Sequence, residues 1–287
     1  MRKNAKKFSI AVIIVLAVVL VLQVMPASAE IKFGVLPRLS AAELTTMFTP
    51  LADYLTQETG EKVTLVIPKD FDAFKAAVKG GQVDIGFANP LIYVQLKKSA
   101  GLDPLALSAE PKAGTKFRGI IVARKDSGIQ KVQDLKGKKL IFVEKDSAAG
   151  YIFQMLLLNM SGLDVQKDFT TLPFAMKHDK VVQAVIDKKA DAGGIREDDL
   201  EKMKDKLDIS QVKIIGYSDY FPNWPMFATA KMDKGSAAKV KAALLKLTVN
   251  GPEAAKVVGS AKLAGFATVS DKDYDMLRQA ASLVGAM

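Results

Sequence analysis

The segment KLIFVEKDSAAGYIFQML, residues 139–156, changes character at its middle. Residues 139–143 are a short apolar run with the branched and aromatic side chains of a buried strand. From Gly150 onward the pattern is helix-like. Between the two lie Asp146, Ser147, Ala148, Ala149 and Gly150. Ser147 has the side chain of a helix N-cap. A strand followed by a capped helix is the repeating unit of α/β proteins. Such sheets bind ligands beyond the carboxyl ends of their strands, and helix N-termini there attract anions. The five residues therefore read either as a plain cap or as the floor of a site.

The same alternation extends in both directions. Strand-like runs are expected at 31–37, 62–68, 83–88, around 105–108, from 117, and at 139–143, 170–175, 190–195 and 212–217. Helix-like runs separate them. One opens at a capping box, Ser40 with Glu43, and runs toward Gly60. Others are expected over 70–81, from Asn89 and Pro90 through Tyr93, and over 149–160, 178–189, 196–207, 235–249 and 271–284. This order predicts two α/β lobes with mainly parallel sheets flanked by helices. No repeat and no low-complexity linker interrupts it.

The first 29 residues stand apart. Arg2, Lys3, Lys6 and Lys7 precede an apolar run over 8–25, and Ala27, Ser28 and Ala29 follow. This is the layout of a cleaved secretory signal peptide, with a mature chain expected to begin at Glu30 in the periplasm. An uncleaved anchor is the competing reading, since the run nearly spans a bilayer. Without the four leader charges, the 41 basic residues become 37 against 31 acidic ones, about +6. The charges are dispersed and form no basic block interleaved with aromatics, so nucleic acid is not an expected partner. A mild positive excess suits a small anionic ligand, and equally a solvated surface. Cysteine is absent, so there is neither a disulfide framework nor a lipid-anchored Cys at the leader's end.

Catalytic patterns are missing. His178 is the single histidine, and with no cysteine a His- or Cys-based metal centre is not expected. There is no nucleophile elbow and no phosphate-binding P-loop. Ser147, His178 and Asp191 could be drawn as a triad, but three such residues coincide by chance in a chain of this size. A binding protein without cofactor is the better reading.

Five blocks carry a resemblance: GVLP (34–37), PLADYLTQETG (50–60), GGQVDIGFANPLIYV (80–94), IVARKDSGIQKVQDLKGKKLIFVEKDSAAGY (121–151) and KHDKVVQAVIDKKADAG (177–193). In this order, and over almost the whole mature chain, they resemble the periplasmic solute-binding proteins of phosphate/phosphite/phosphonate-type ABC transporters. The resemblance implies a type II-like two-lobed fold with two crossover segments, near 112–118 and 218–226. Lobe I would comprise 30–115 with 225–287, and lobe II 116–224. It also implies an inter-lobe cleft that closes by hinge motion, an ABC permease as partner, and a monomer.

It further implies a ligand oxyanion at the helix start formed by Ser147, Ala148, Ala149 and Gly150. His178 matches a ligand-contacting histidine, and Asp191 an acidic position that is either at the ligand or structural near the hinge. Asp198 keeps a carboxylate able to meet a ligand amine. Four positions that carry hydroxyls in the family are Ala148, Ala149, Phe71 and Phe117 here. Trp224 stands where an acidic residue is common. These changes imply a drier, more aromatic cleft that tolerates a carboxylate or substituted phosphonate as well as phosphate. Tyr93, Phe71 and Phe117 also read as core, and Ser147 as an ordinary cap. The same fold could instead serve as a sensor that presents its ligand to a membrane receptor or kinase.

Overall fold

A computed structural model describes residues 30–287, and the expected leader over 1–29 lies outside the described residues. Strand β1 (Ile31–Val35) leads to helix α1 (Ala41–Thr59). The expected capping box opens that helix: the Glu43 N–H donates to Ser40 Oγ at 3.3 Å, and the Glu43 carboxylate accepts from the Ser40 N–H at 3.1 Å. Strand β2 (Val63–Val66) is followed by α2 (Phe71–Lys79), capped by Asp70. Strand β3 (Ile85–Phe87) is followed by α3 (Pro90–Ala100), where Asn89 caps and Pro90 occupies the first turn that needs no N–H donor. Strand β4 (Asp103–Ala109) completes this first set.

The chain then crosses through β5 (Lys116–Phe117) into β6 (Gly119–Arg124) and β7 (Lys139–Ile141). Next come a π-helical turn (Ala148–Ile152), α4 (Phe153–Met160), β8 (Thr170–Thr171) and α5 (His178–Ile186). Strand β9 (Ala192–Arg196), α6 (Glu197–Lys202) and β10 (Val212–Tyr217) finish the second set. The chain returns through β11 (Phe221–Pro222) into β12 (Pro225–Ala228), α7 (Lys234–Lys246), α8 (Pro252–Val258), β13 (Gly265–Ala267) and α9 (Asp275–Leu283).

The strands form two sheets, β13-β4-β12-β3-β1-β2 and β10-β6-β9-β7-β8, with β5 and β11 paired as a two-stranded ribbon between them. These sheets are mixed, which corrects the expectation of mainly parallel ones. β1 runs parallel to β2 and β3, and β7 runs parallel to β8 and β9. β12 is antiparallel to both β3 and β4, and β6 to both β9 and β10. The cause is topological. β6 and β12 each enter a sheet directly from a crossing strand, so they run away from the junction toward which the βα strands point. Strand β12 also escaped sequence reading because Pro225 makes its start resemble a loop. A proline is tolerated as the first residue of a strand.

Buried apolar residues cover both faces of both sheets. One of these clusters does not stop at the sheet boundary. It joins Leu36, Ala88 and Tyr93 beside the first sheet to Ala148, Ala149, Ile152 and Phe153 beside the second. Helix α9 also spans the divide, packing on α3 of the first set and on α4 of the second. Among the described residues no helix is long and apolar enough to cross a membrane.

Candidate functional site

The carboxyl ends of the βα strands from both sheets converge on one cleft, bounded by the two crossings. On the second sheet the wall is the turn that follows β7. Ser147 is its N-cap, as expected, and its Oγ accepts the Gly150 N–H at 3.1 Å. The turn is wound as a π-helix: the Ile152 N–H reaches the Ser147 carbonyl at 3.2 Å. Gly150 is required by packing, because a Cβ there would lie 2.5 Å from Val143 Cγ2 and 2.7 Å from Ser147 Oγ. Ala148 and Ala149 are each only 4% exposed and belong to the apolar cluster that spans the two sheets. Their amides donate to no group among the described hydrogen bonds, whereas that of Gly150 is taken by Ser147. Beneath the turn, buried Gln154 Nε2 donates to the carbonyls of Ala149, Ile195 and Ile120 at 2.7, 2.9 and 3.1 Å.

Asp146, just before the turn, fastens it to the first sheet's helices. Its Oδ2 lies 2.9 Å from Lys75 Nζ, its Oδ1 accepts from Gln95 Nε2 at 3.2 Å, and its carbonyl accepts from Asn89 Nδ2 at 3.3 Å. Burial works against the Lys75 charge, but hydrogen bonds to Asp146 and Asp72 outweigh it and hold its pKa above the ordinary lysine value. Burial, then repulsion from Asp146, raises the carboxyl pKa of Glu144.

His178 begins α5 as expected. Its Nδ1 accepts the Arg196 N–H at 3.1 Å, which places the proton of the neutral ring on Nε2, 3.8 Å from Asp199 Oδ2. Burial lowers its pKa and Asp199 pulls the other way. Asp198 does not stand open to a ligand: its Oδ2 accepts from Arg196 Nε and Nη2, both at 3.1 Å. Phe117 lies buried beneath the same guanidinium, 4.5 Å from the ring centroid, and packs on Phe153 at 5.2 Å. His178, Asp198 and Phe117 are thus brought together around Arg196, a residue that sequence reading had not singled out.

The other expected residues have different surroundings. Asp191 sits at the opposite end of the second sheet, where its Oδ2 accepts the Lys139 N–H at 2.7 Å and pins the start of β7. Buried Tyr93 donates its hydroxyl to Asp271 Oδ1 at 2.6 Å and packs against Tyr274 at 4.9 Å. Phe71 is the half-buried first residue of α2, packed on the cluster that spans the sheets. Trp224, in the second crossing, packs on Phe87 at 5.3 Å, and the Arg38 guanidinium lies 5.4 Å from its ring.

Beside Trp224 is a cavity of about 30 Å³, lined by Arg38, Phe87, Ser108, Glu110, Arg196, Asn223, Trp224 and Leu263. Arg196 Nη2 lies 2.8 Å from Glu110 Oε2, an ion pair joining the second sheet to the first crossing. Arg38, exposed at the mouth, forms no ion pair among the described residues. Burial pushes its pKa below the ordinary arginine value, opposed by nearby Glu110 and reinforced by Arg196. Ser108 Oγ is fully buried and has no hydrogen-bond partner among the described residues. The remaining candidate, a groove of about 390 Å³ between α1 and β2, is open, and Asp53 is the only charged residue lining it. Arg38, Ser108, Glu110 and Arg196, which line this cavity, are not among the residues expected from the sequence. Their one sequence signal was position, each close after or within the carboxyl end of a strand.

Two α/β lobes joined by paired crossing strands are the architecture of periplasmic binding proteins. The family described as "ABC transporter, phosphonate, periplasmic substrate-binding protein" matches residues 33–274, and the chain belongs to it. It is therefore a transport substrate-binding protein rather than an enzyme. The phosphate-import protein PhnD of Mycolicibacterium smegmatis is 25% identical over 278 residues, 89% of this chain and 86% of that protein. The tetrathionate sensor histidine kinase TtrS of Salmonella typhimurium is 26% identical over 240 residues, 78% of this chain but 40% of the kinase. Among solved structures, a Xanthomonas citri protein bound to chloride gives a TM-score of 0.76 at 18% identity, covering 89% of this chain and 97% of that one. PhnD1 of Prochlorococcus marinus with methylphosphonate gives 0.72 at 15% identity, covering 90% and 99%. At these identities the likeness is one of fold.

Proposed function

We propose that this protein captures a small anionic solute, of the phosphonate or phosphate type, between its lobes and delivers it to an ABC permease in the inner membrane. Lobe I is 30–115 with 225–287 and lobe II is 116–224. The leader 1–29 is removed on export, and the mature chain works as a monomer in the periplasm. The observation that carries this reading is the clasp across the cleft, in which Asp146 meets Lys75, Gln95 and Asn89. A partly buried pair of this kind contributes about 1 kcal/mol, small enough for a ligand to decide between open and closed forms. The turn at 147–150, Phe117 and Trp224 form walls of the cleft. The PhnD relative, described as a phosphate-import protein, and the PhnD1 structure with methylphosphonate support an oxyanion as cargo.

Thermal unfolding in the presence of phosphate, methylphosphonate and small carboxylates tests the reading. A ligand at 100 times its dissociation constant stabilises by about 2.7 kcal/mol, and small-angle scattering should show compaction alongside. Absence of any stabilisation by these anions would rule it out. Mass spectrometry of periplasmic protein should find a chain beginning at Glu30. The likeness to TtrS favours a second reading, a sensor that presents the ligand to a membrane receptor. Stimulation of a reconstituted permease's ATPase by the liganded protein separates transport from sensing.

A further inference from the structure

We propose that Arg38 and Ser108 hold the ligand's anionic head at the hinge cavity, and that Glu110 occupies the head's place in its absence. This rests on the reading of the protein as a binder of small anions, and it moves the charged end away from the helix start at Ser147. Three observations carry it.

The first concerns unpaired polar groups. Ser108 Oγ is fully buried without a partner among the described residues, a condition that calls for an explanation such as an absent ligand or water. Arg38 points a guanidinium with no ion pair at the same cavity, over the face of Trp224. Arg196 reaches it from the other lobe. A guanidinium presents planar paired donors that match the oxygens of a phosphonate or sulfonate.

The second is size. The cavity is small, about 30 Å³, so an anionic head with several oxygens enters only if a side chain moves aside. Among the described residues Glu110 is the only carboxylate lining the cavity, and its Oε2 sits 2.8 Å from Arg196. It lies on the chain between β4 and β5, the crossing that must flex when the lobes swing.

The third is the state of the helix start, where Ala148 and Ala149 offer backbone amides but no hydroxyls and Ser147 takes the Gly150 amide. Phe87, Trp224 and Leu263 give the hinge cavity an apolar side. Together these features fit a small tetrahedral oxyanion with a short apolar substituent, an alkylphosphonate or an alkylsulfonate.

Calorimetric titration of the mature protein with methylphosphonate, ethanesulfonate, inorganic phosphate and acetate tests this. Arg38→Gln should weaken binding of the preferred oxyanion about 30-fold, with Arg38→Lys between it and the wild type. Glu110→Gln removes the competing charge and should tighten binding about 5-fold. The ligand-free thermal midpoint of Arg38→Gln should stay close to that of the wild type, since Arg38 forms no ion pair among the described residues and the change removes only its packing over Trp224. The head-group order between methylphosphonate and ethanesulfonate identifies which oxyanion the cavity prefers. If an oxyanion binds and Arg38→Gln binds it equally well, or Glu110→Gln binds it less well, the subsite assignment is overturned while the anion-binding function stands. If none of the tested oxyanions binds the wild type, both fall.

Discussion

The helix start at Ser147 and the cavity at Arg38 both lie at the carboxyl ends of strands, yet they leave different groups unpaired. At the helix start Ser147 caps its own helix and Gln154 Nε2 donates to carbonyls from beneath, while the Ala148 and Ala149 amides and Gln154 Oε1 have no partner among the described residues. At the hinge cavity a buried hydroxyl has no partner and an arginine has no counter-ion among the described residues. The unpaired groups are backbone amides and an amide oxygen at the first place, and a hydroxyl and a guanidinium at the second.

The contrast can be tested in stability as well as in affinity. Gln154→Leu removes two N–H donors shared by three carbonyls, and also a side-chain oxygen with no partner among the described residues, and should cost about 2 kcal/mol in urea unfolding, because acceptors left unpaired carry a desolvation penalty. A cost below about 0.5 kcal/mol, the ordinary range of a surface change, would mean the turn is not supported from beneath. Gly150→Val should cost about 2 kcal/mol through overpacking against Val143. Ala148→Ser places a hydroxyl in an apolar cluster and should cost about 1 kcal/mol; a stabilised variant would show that the helix start has polar room after all. Asp146→Asn should cost only about 0.5 kcal/mol, but should shift the ligand-free protein toward a larger radius of gyration in scattering.

The smallest effect is one of pH. Burial lowers the His178 pKa in the folded state, so the unfolded chain binds the proton more tightly. Stability from this source is complete above the ordinary histidine value of about 6.5 and declines as pH falls below it toward the folded value. Denaturant midpoints at pH 5 and pH 7.5 should therefore differ more for the wild type than for His178→Gln. An equal difference would show that the ring does not hold the Arg196 backbone as a neutral acceptor.

Local signals served well where one element is decided by its own residues. The Ser40 capping box, the Asn89–Pro90 start and strand β10 were all legible, because caps, proline and alternating apolar runs act within a few positions. Strand β12 was not, since its pairing between β3 and β4 is made by residues more than a hundred positions earlier. Helix α8 and strand β13 are short and were passed over for the same reason of weak local pattern. The sequence points to Ser147, His178, Phe117 and Trp224, and the structure sets His178 and Phe117 around Arg196, Ser147 at the helix start and Trp224 beside Arg38. Their partners could not be read from the sequence. Asp198 looks open in sequence but its Oδ2 is bonded to Arg196, while Arg38 looks like any surface charge and lines the cavity without an ion pair among the described residues. Which charges cancel is a property of the assembled molecule.

Helix α9 rests on α3 of one lobe and on α4 of the other, and its end is tied to α3 by the Gln95 Nε2 bond to the Ala286 carbonyl at 2.8 Å. Two crossing strands alone would let the lobes twist as well as swing. A third line of contact set apart from them removes the twist, in the way that a second fixed point on a door leaves it one axis of rotation. The two sheets are therefore joined at a third place apart from the crossing strands, and their relative position does not rest on the β5–β11 ribbon alone.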